Sequence, residues 1–305
     1  MPQTKDKEVR PRMSQEDYDL FKLLKSRMNE YEFKTEPAEA LPPLPSKRHS
    51  ISSSQTTFTE PGTYLLMGCV HAPAHNVAMM NGITDLLTDI KVKGLVLMGD
   101  FLDLNSLSSH DTGKFTAIPG LTLEQEYEAG EQLLSQLLKP LRKDVTKIFI
   151  YGNHEHRFNR YMADMESSKR PLPSPAEALK LKEKDFHFYT NWQDDKVVLG
   201  KHLDVFHGQY YNVHCAKKTI DVYRGSCAFV HSHRIQTYIE GTTGGFNIGW
   251  CGDVKSPFFN YAARGTKSMW QNGFALVEID EEGNYYLTQI ISHNNKFYYG
   301  GKKYS

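Results

Sequence analysis

The chain carries no surplus of charge, with 36 Lys and Arg set against 36 Asp and Glu in 305 residues. A neutral total generates no general field for nucleic acid, so a non-specific DNA-coating role is disfavoured and only a local basic groove would serve. Long apolar runs are also missing. No uninterrupted stretch approaches bilayer length, and the opening MPQTKDKEVRPR has no apolar signal core, so a cytoplasmic protein with no membrane attachment is expected. Cysteine is scarce. Cys69, Cys215, Cys227 and Cys251 show no CxxC spacing, which argues against a zinc knuckle, a thioredoxin motif and a disulfide framework. What remains is long enough to bury a sizeable core, as one large domain with an appendage.

The appendage comes first. Residues 1–12 are charged and read as disordered. Ser14–Asp17 fits a capping box, and Leu20, Phe21, Leu24, Met28 and Tyr31 recur at helical spacing, so a short amphipathic helix is expected over 14–32. Its apolar face would dock on the main domain, a protein partner or a second subunit. Pro37, Pro42, Pro43 and Pro45 and a serine cluster follow, which is linker composition over about 35–58. The extension is therefore placed at 1–58 and the main domain at 59–305.

Beyond Thr59 the pattern alternates. Tyr64–Met67 reads as a strand, Val77–Ile90 as a helix and Gly94–Met98 as a second strand. Thr122–Gln125 is a capping box opening a helix to about Lys139, and Ile148–Tyr151 is a third strand. Such alternation implies βαβ units and a parallel sheet. The second half is richer in strands. Lys196–Leu199 and Leu203–Phe206 read as a hairpin, then a helix over Val213–Tyr223, a strand at Cys227–Val230, and further strands at Gln236–Ile239, Gly273–Ile279 and Tyr285–Ser292. Two sheets packed face to face, with helices outside, would accommodate this order.

Polar residues gather where these strands end: Cys69 and His71; Asp100 and Asp103; Asn153 and His154; His207; His231 and His233. Any one has a dull explanation, since Asn and Asp cap helices well and a lone His is usually an ordinary hydrogen-bonding residue. Open α/β sheets bind ligands just beyond the carboxyl ends of their strands, and five such clusters together resist the dull reading. Imidazole, carboxylate and amide oxygen together suit ions of borderline softness such as Mn, Fe or Zn.

The series GCVH, GDFLD, GNHE, FHG and VHSH resembles the calcineurin-like metallophosphoesterase superfamily, whose blocks are DxH, GDxxD, GNH[ED], an isolated His and GHxH. GDFLDLNSLSSHD, GNHEHR, HCAKK and MWQNGF are most similar to the calcineurin-like phosphoesterases of bacteriophages, which would put the protein in a host cytoplasm. The resemblance implies an α/β, four-layer αββα sandwich of two mixed sheets flanked by helices, holding two divalent metal ions. By position, Cys69, His71, Asp100 and His233 would hold one ion, and Asp100, Asn153, His207 and His231 the other. A hydroxide between the ions would attack phosphorus, His154 would act as general acid, and Asp103 would orient it. The implied substrate is a phosphate mono- or diester, of a phosphorylated small molecule such as a nucleotide or of a nucleic-acid end. A DNA nuclease or a non-catalytic, partner-binding member is the alternative.

Two positions depart from the pattern. Cys69 stands where the family has Asp, either as a thiolate ligand favouring Zn or Fe over Mg or as a buried apolar residue. Val230 stands where it has Gly. Arg157, His110 and Lys217 are further candidates for substrate contact. Arg157 would grip phosphate oxygens or lie on a helix surface; His110 would line the site or sit in a solvated loop. Lys217, in the run QYYNVHCAKK, would serve an aromatic and basic platform or be solvated. Phe258, Phe259 and Tyr261 would form a similar aromatic rim.

Overall fold

The computed structural model describes residues 55–108, 121–164 and 172–305. The helix expected at 14–32, most of the linker, and His110 lie outside the described residues.

Short apolar runs build two six-stranded sheets. In the first, β2 (Gly62–Met67), β3 (Gly94–Leu97), β4 (Thr146–Ile150) and β5 (Phe186–Tyr189) run parallel, side by side. Two antiparallel strands, β11 (Gly273–Ile279) and β12 (Tyr285–Ile291), extend it beyond β2. The second sheet has the order β1-β6-β7-β8-β10-β9. Its strands are β1 (Gln55–Phe58), β6 (Lys196–Leu199), β7 (Leu203–Val205), β8 (Ser226–Phe229), β9 (Ile235–Glu240) and β10 (Thr243–Ile248). Both sheets mix parallel and antiparallel pairs. β13 (Phe297–Tyr299) and β14 (Lys302–Tyr304) form a small separate hairpin.

Side chains on successive residues point to opposite faces of a strand, and the central strands are apolar on both. In β2, Leu65 and Met67 join a core that includes Met79, Ile83, Leu86, Leu134 and Leu137 of two helices, α1 (Val77–Asp89) and α2 (Leu123–Leu138). Tyr64 and Leu66 instead join Val96, Ile148 and Ile150 against Val197, Leu203, Val205 and Ala228 of the other sheet. The far face of that sheet, through Cys227 and Phe229, meets Ala216 and Ile220 of α5 (Cys215–Tyr223). Helix, sheet, sheet and helix therefore stack as four layers. Shorter helices α3 (Glu155–Asp164), α4 (Pro175–Ala178) and α6 (Arg264–Lys267) complete the chain order. No helix among the described residues is long and apolar enough to cross a membrane.

Two expectations need correction. Gln55–Phe58 is not linker but an edge strand, each residue in register with Lys196–Leu199, so the sheet begins before the boundary expected near Thr59. Phe259 does not sit on a rim; it is fully buried, its ring edge-on to His71 at 5.4 Å between centroids.

Candidate metal centre

The loops following β2, β3, β4, β7 and β8 converge on one place. Eleven non-glycine residues among those described have positive φ, and five of them are Cys69, His71, Asp100, His231 and His233, at 48° to 70°. A left-handed backbone is costly for side chains of this kind and persists only where the surroundings enforce it. Here the enforcement is visible. Cys69 N–H donates to the Gly99 carbonyl at 2.9 Å, His71 N–H to the Asp100 carbonyl at 2.8 Å, and Cys251 N–H to the Cys69 carbonyl at 3.0 Å.

Two glycines let the loops touch. A Cβ on Gly99 would meet the Gly152 nitrogen at 2.5 Å, and one on Gly152 would meet Asp100 Oδ1 at 2.2 Å. Glu155, for which the motifs suggested no chemistry, staples the same loops. Its carboxylate accepts from the backbone N–H groups of Asp100 (2.8 Å), Gly152 (2.9 Å) and Leu102 (3.0 Å) and is fully buried. Glu126 of α2 does likewise for Asn105 at 2.7 Å and Ser106 at 3.0 Å. Neither role shows in the sequence, because each joins segments far apart in the chain.

The side chains close into three overlapping groups whose ligand atoms lie within 4.8 Å of one another: Cys69, His71 and His233; Cys69, Asp100 and His207; His71, Asp103 and His154. His71 Nδ1 lies 3.0 Å from Asp103 Oδ1, a carboxylate that can only accept when ionised, so the ring's lone pair sits on Nε2. That Nε2 faces His233 Nε2 at 3.1 Å. His207 donates from Nδ1 to the Met98 carbonyl at 2.8 Å, which turns its Nε2 toward Asn153 Oδ1 (3.1 Å) and Asp100 Oδ2 (3.2 Å). His231 donates its backbone N–H to Cys69 Sγ at 3.2 Å, while its own Nδ1 is buried with no partner.

Electrostatics fit this crowding. Burial, and then the charge of neighbouring histidines, lowers the imidazoles of His71 and His233 and takes His231 down to about 3, which holds them in the neutral, ligating form. Burial raises the Cys69 thiol well above its usual value, reinforced by Asp100. For Asp100, burial is outweighed by His207 and His154, and the carboxyl is held well below its usual range. His207 runs the other way. Burial would lower it, but Asp100 prevails and raises it.

The remaining candidates separate. His154 Nδ1 lies 2.7 Å from the Asp103 carbonyl and 3.2 Å from its Oδ1, so it carries the proton, and the ring is 4.5 Å edge-on from His71. Arg157 is buried rather than on a surface. Its Nη1 donates to the Asp103 carbonyl at 2.9 Å and its Nη2 to His154 Nε2 at 3.2 Å. Lys217 is not brought to the cluster; it pairs with Asp221 along α5 at 2.9 Å, and Lys218 lies over Tyr210. From that segment, Tyr211 approaches, its ring 6.2 Å from His231. Trp192, which belongs to no motif, packs against His207, His231 and His156, and Trp250 stacks on His233 at 4.6 Å.

No protein-family model matches the sequence, and neither does any curated protein. Among solved structures the chain is similar to vacuolar protein sorting 29 from Cryptosporidium parvum, at 12% identity and a TM-score of 0.41, over 80% of this chain and 95% of that one. It is similar to zinc-complexed wild-type Vps29 from Entamoeba histolytica, at 13% identity and a TM-score of 0.37, over 75% and 98%. A predicted phosphoesterase from Streptococcus pneumoniae TIGR4 aligns at 14% identity with a TM-score of 0.33, over 81% and 97%.

Proposed function

We propose that the chain is a metal-dependent phosphoesterase of the calcineurin-like type, acting on a phosphorylated small molecule, foremost a nucleotide. The observation that carries this reading is the convergence of His71, His207 and His233 through Nε2 on Asp100 and Cys69. Nitrogen atoms of two neutral imidazoles facing each other at 3.1 Å, and a buried unpartnered Nδ1 on His231, are what a set of ligands looks like. The donor mixture suits Mn, Fe or Zn, with the Cys69 sulfur inclining it to Zn or Fe. Cys69, His71, Asp100 and His233 would hold one ion, and Asp100, Asn153, His207 and His231 a second. When bound, such ions supply Lewis acidity toward a phosphoryl oxygen and toward water.

The chain's own groups do the rest. Asp103 fixes the tautomers of His71 and His154 together. With the Nδ1 proton of His154 committed to the Asp103 carbonyl, Nε2 is the atom left to pass a proton to the leaving oxygen. Arg157 Nη2 occupies that nitrogen at rest; a proton at Nε2 releases the guanidinium to a phosphate oxygen, which it matches in a two-pronged grip. Trp192 and Tyr211 flank the His207 and His231 side with flat surfaces suited to an aromatic ring.

Chromogenic mono- and diesters, nucleotides and cyclic nucleotides assayed with Mn, Zn or Fe test the reading. Hydrolysis lost on chelation and restored by metal is expected; inactivity toward every ester with every metal would sink it. The burial of Cys69 with a raised thiol favours a second reading, a member that binds partners without turnover. A nuclease would be marked by activity falling steeply with salt.

A further inference from the structure

The residue after His233 poses a separate question. Arg234 is 9% exposed. Its Nε and Nη1 are buried and make no hydrogen bond, and among the described residues no carboxylate pairs with it. Arginine stays protonated in proteins, and here Nη2 alone is outside the buried, unpartnered set, so a counter-ion at the guanidinium is favoured. The other buried arginine shows the usual remedy, since Arg157 is bonded to the Asp103 carbonyl and to His154. Among the described residues Arg234 has no such remedy. It stands on the loop between β8 and β9 that also carries His231 and His233, so the unmet charge is built into the backbone segment of two candidate ligands.

We propose that Arg234 is the anchor of an anion subsite, and that it receives a second phosphate group of the substrate besides the one that is hydrolysed. The assignment of that anion to a substrate rests on the phosphoesterase reading; the subsite itself does not. A guanidinium presents parallel N–H groups that match two phosphate oxygens, and a ligand filling this place brings the charge that the fold withholds. A nucleoside diphosphate, or another small molecule with two phosphates, has the required chemistry. The neutral net charge of the chain favours a small dianionic group over a long polyanion.

Thermal unfolding of the full chain separates the possibilities. Wild type, Arg234→Met and Arg234→Lys are compared in phosphate-free buffer and with inorganic phosphate, with metal chelated. Wild type is expected to gain about 5 °C or more at saturating phosphate. Arg234→Met is expected to start no lower than wild type, because it replaces an unpaired charge with an apolar chain of similar length, and to gain nothing. Arg234→Lys should keep part of the gain. If Arg234→Met unfolds well below wild type without phosphate, or responds to phosphate as wild type does, the subsite is wrong. In metal-loaded protein, ADP should stabilise wild type more than AMP, with the difference gone in Arg234→Met. An undiminished difference in the variant overturns the second-phosphate assignment. These readouts need no turnover, so a failure of hydrolysis leaves them intact.

Discussion

Asp103 is the residue on which two histidines depend, its Oδ1 lying 3.0 Å from His71 Nδ1 and 3.2 Å from His154 Nδ1. In the proposed site one imidazole would thereby be aimed at a metal position and the other at the leaving group. Replacing His154 by Ala should cut kcat by about 10²–10⁴-fold while metal content, measured on the purified variant, stays at the wild-type level; unchanged turnover would contradict its assigned role. Cys69→Asp should move the metal preference from Zn or Fe toward Mn and Mg, as competition between the ions would show. Residue identities in this cluster were legible in the sequence because side-chain chemistry and spacing survive without knowledge of the fold. Glu155 and Arg234 were not, and for Arg157 a phosphate grip and a helix surface stayed open, for a common reason. A glutamate or arginine next to a motif looks the same whether it faces water or is enclosed, and only the packed structure shows which.

At the level of elements, the site is a set of five strand ends, and those after β2, β3 and β8 hold their candidate ligands on left-handed backbone. Gly152→Ala places a carbon against Asp100 Oδ1, with an ideal separation of only 2.2 Å, so the loops must part. The variant should lose about 1–3 kcal/mol of stability in denaturant unfolding and bind metal more weakly. The strands that build the site were readable from their apolar runs and terminal glycines. Those that were missed have identifiable physical reasons. β10, TGGFNI, carries two glycines of poor strand propensity, tolerated because Gly245 lies against the Ala216 carbonyl of α5, where a Cβ would approach to 2.7 Å. β1, QTTF, is short and polar and is recruited by β6 as an edge, which no local pattern announces. β5, FHFY, is a four-residue edge strand whose two middle residues are both exposed, so it shows no alternation.

For the whole molecule, candidate ligands from both sheets meet at one end of the sandwich: Cys69, His71, Asp100 and Asn153 from the first, His207, His231 and His233 from the second. An ion bound by the proposed set would tie the sheets together and would be lost from the unfolded chain. Chelation should lower the unfolding midpoint by several degrees, and adding metal back should restore it in a concentration-dependent way. A midpoint indifferent to chelator would mean that the cluster is held by its hydrogen bonds alone.

The most direct measurement is the metal content of the purified chain beside that of Asp100→Asn, read by elemental analysis after loading with Mn, Fe or Zn and removal of free ion. Asp100 faces both groups of ligands, at 4.0 Å from His71 Nε2 and 3.2 Å from His207 Nε2. Close to two ions per wild-type chain and a marked loss in the variant are predicted. A wild-type chain that retains no ion under any of these conditions, or an Asp100→Asn variant that retains the full complement, would contradict the two-metal centre.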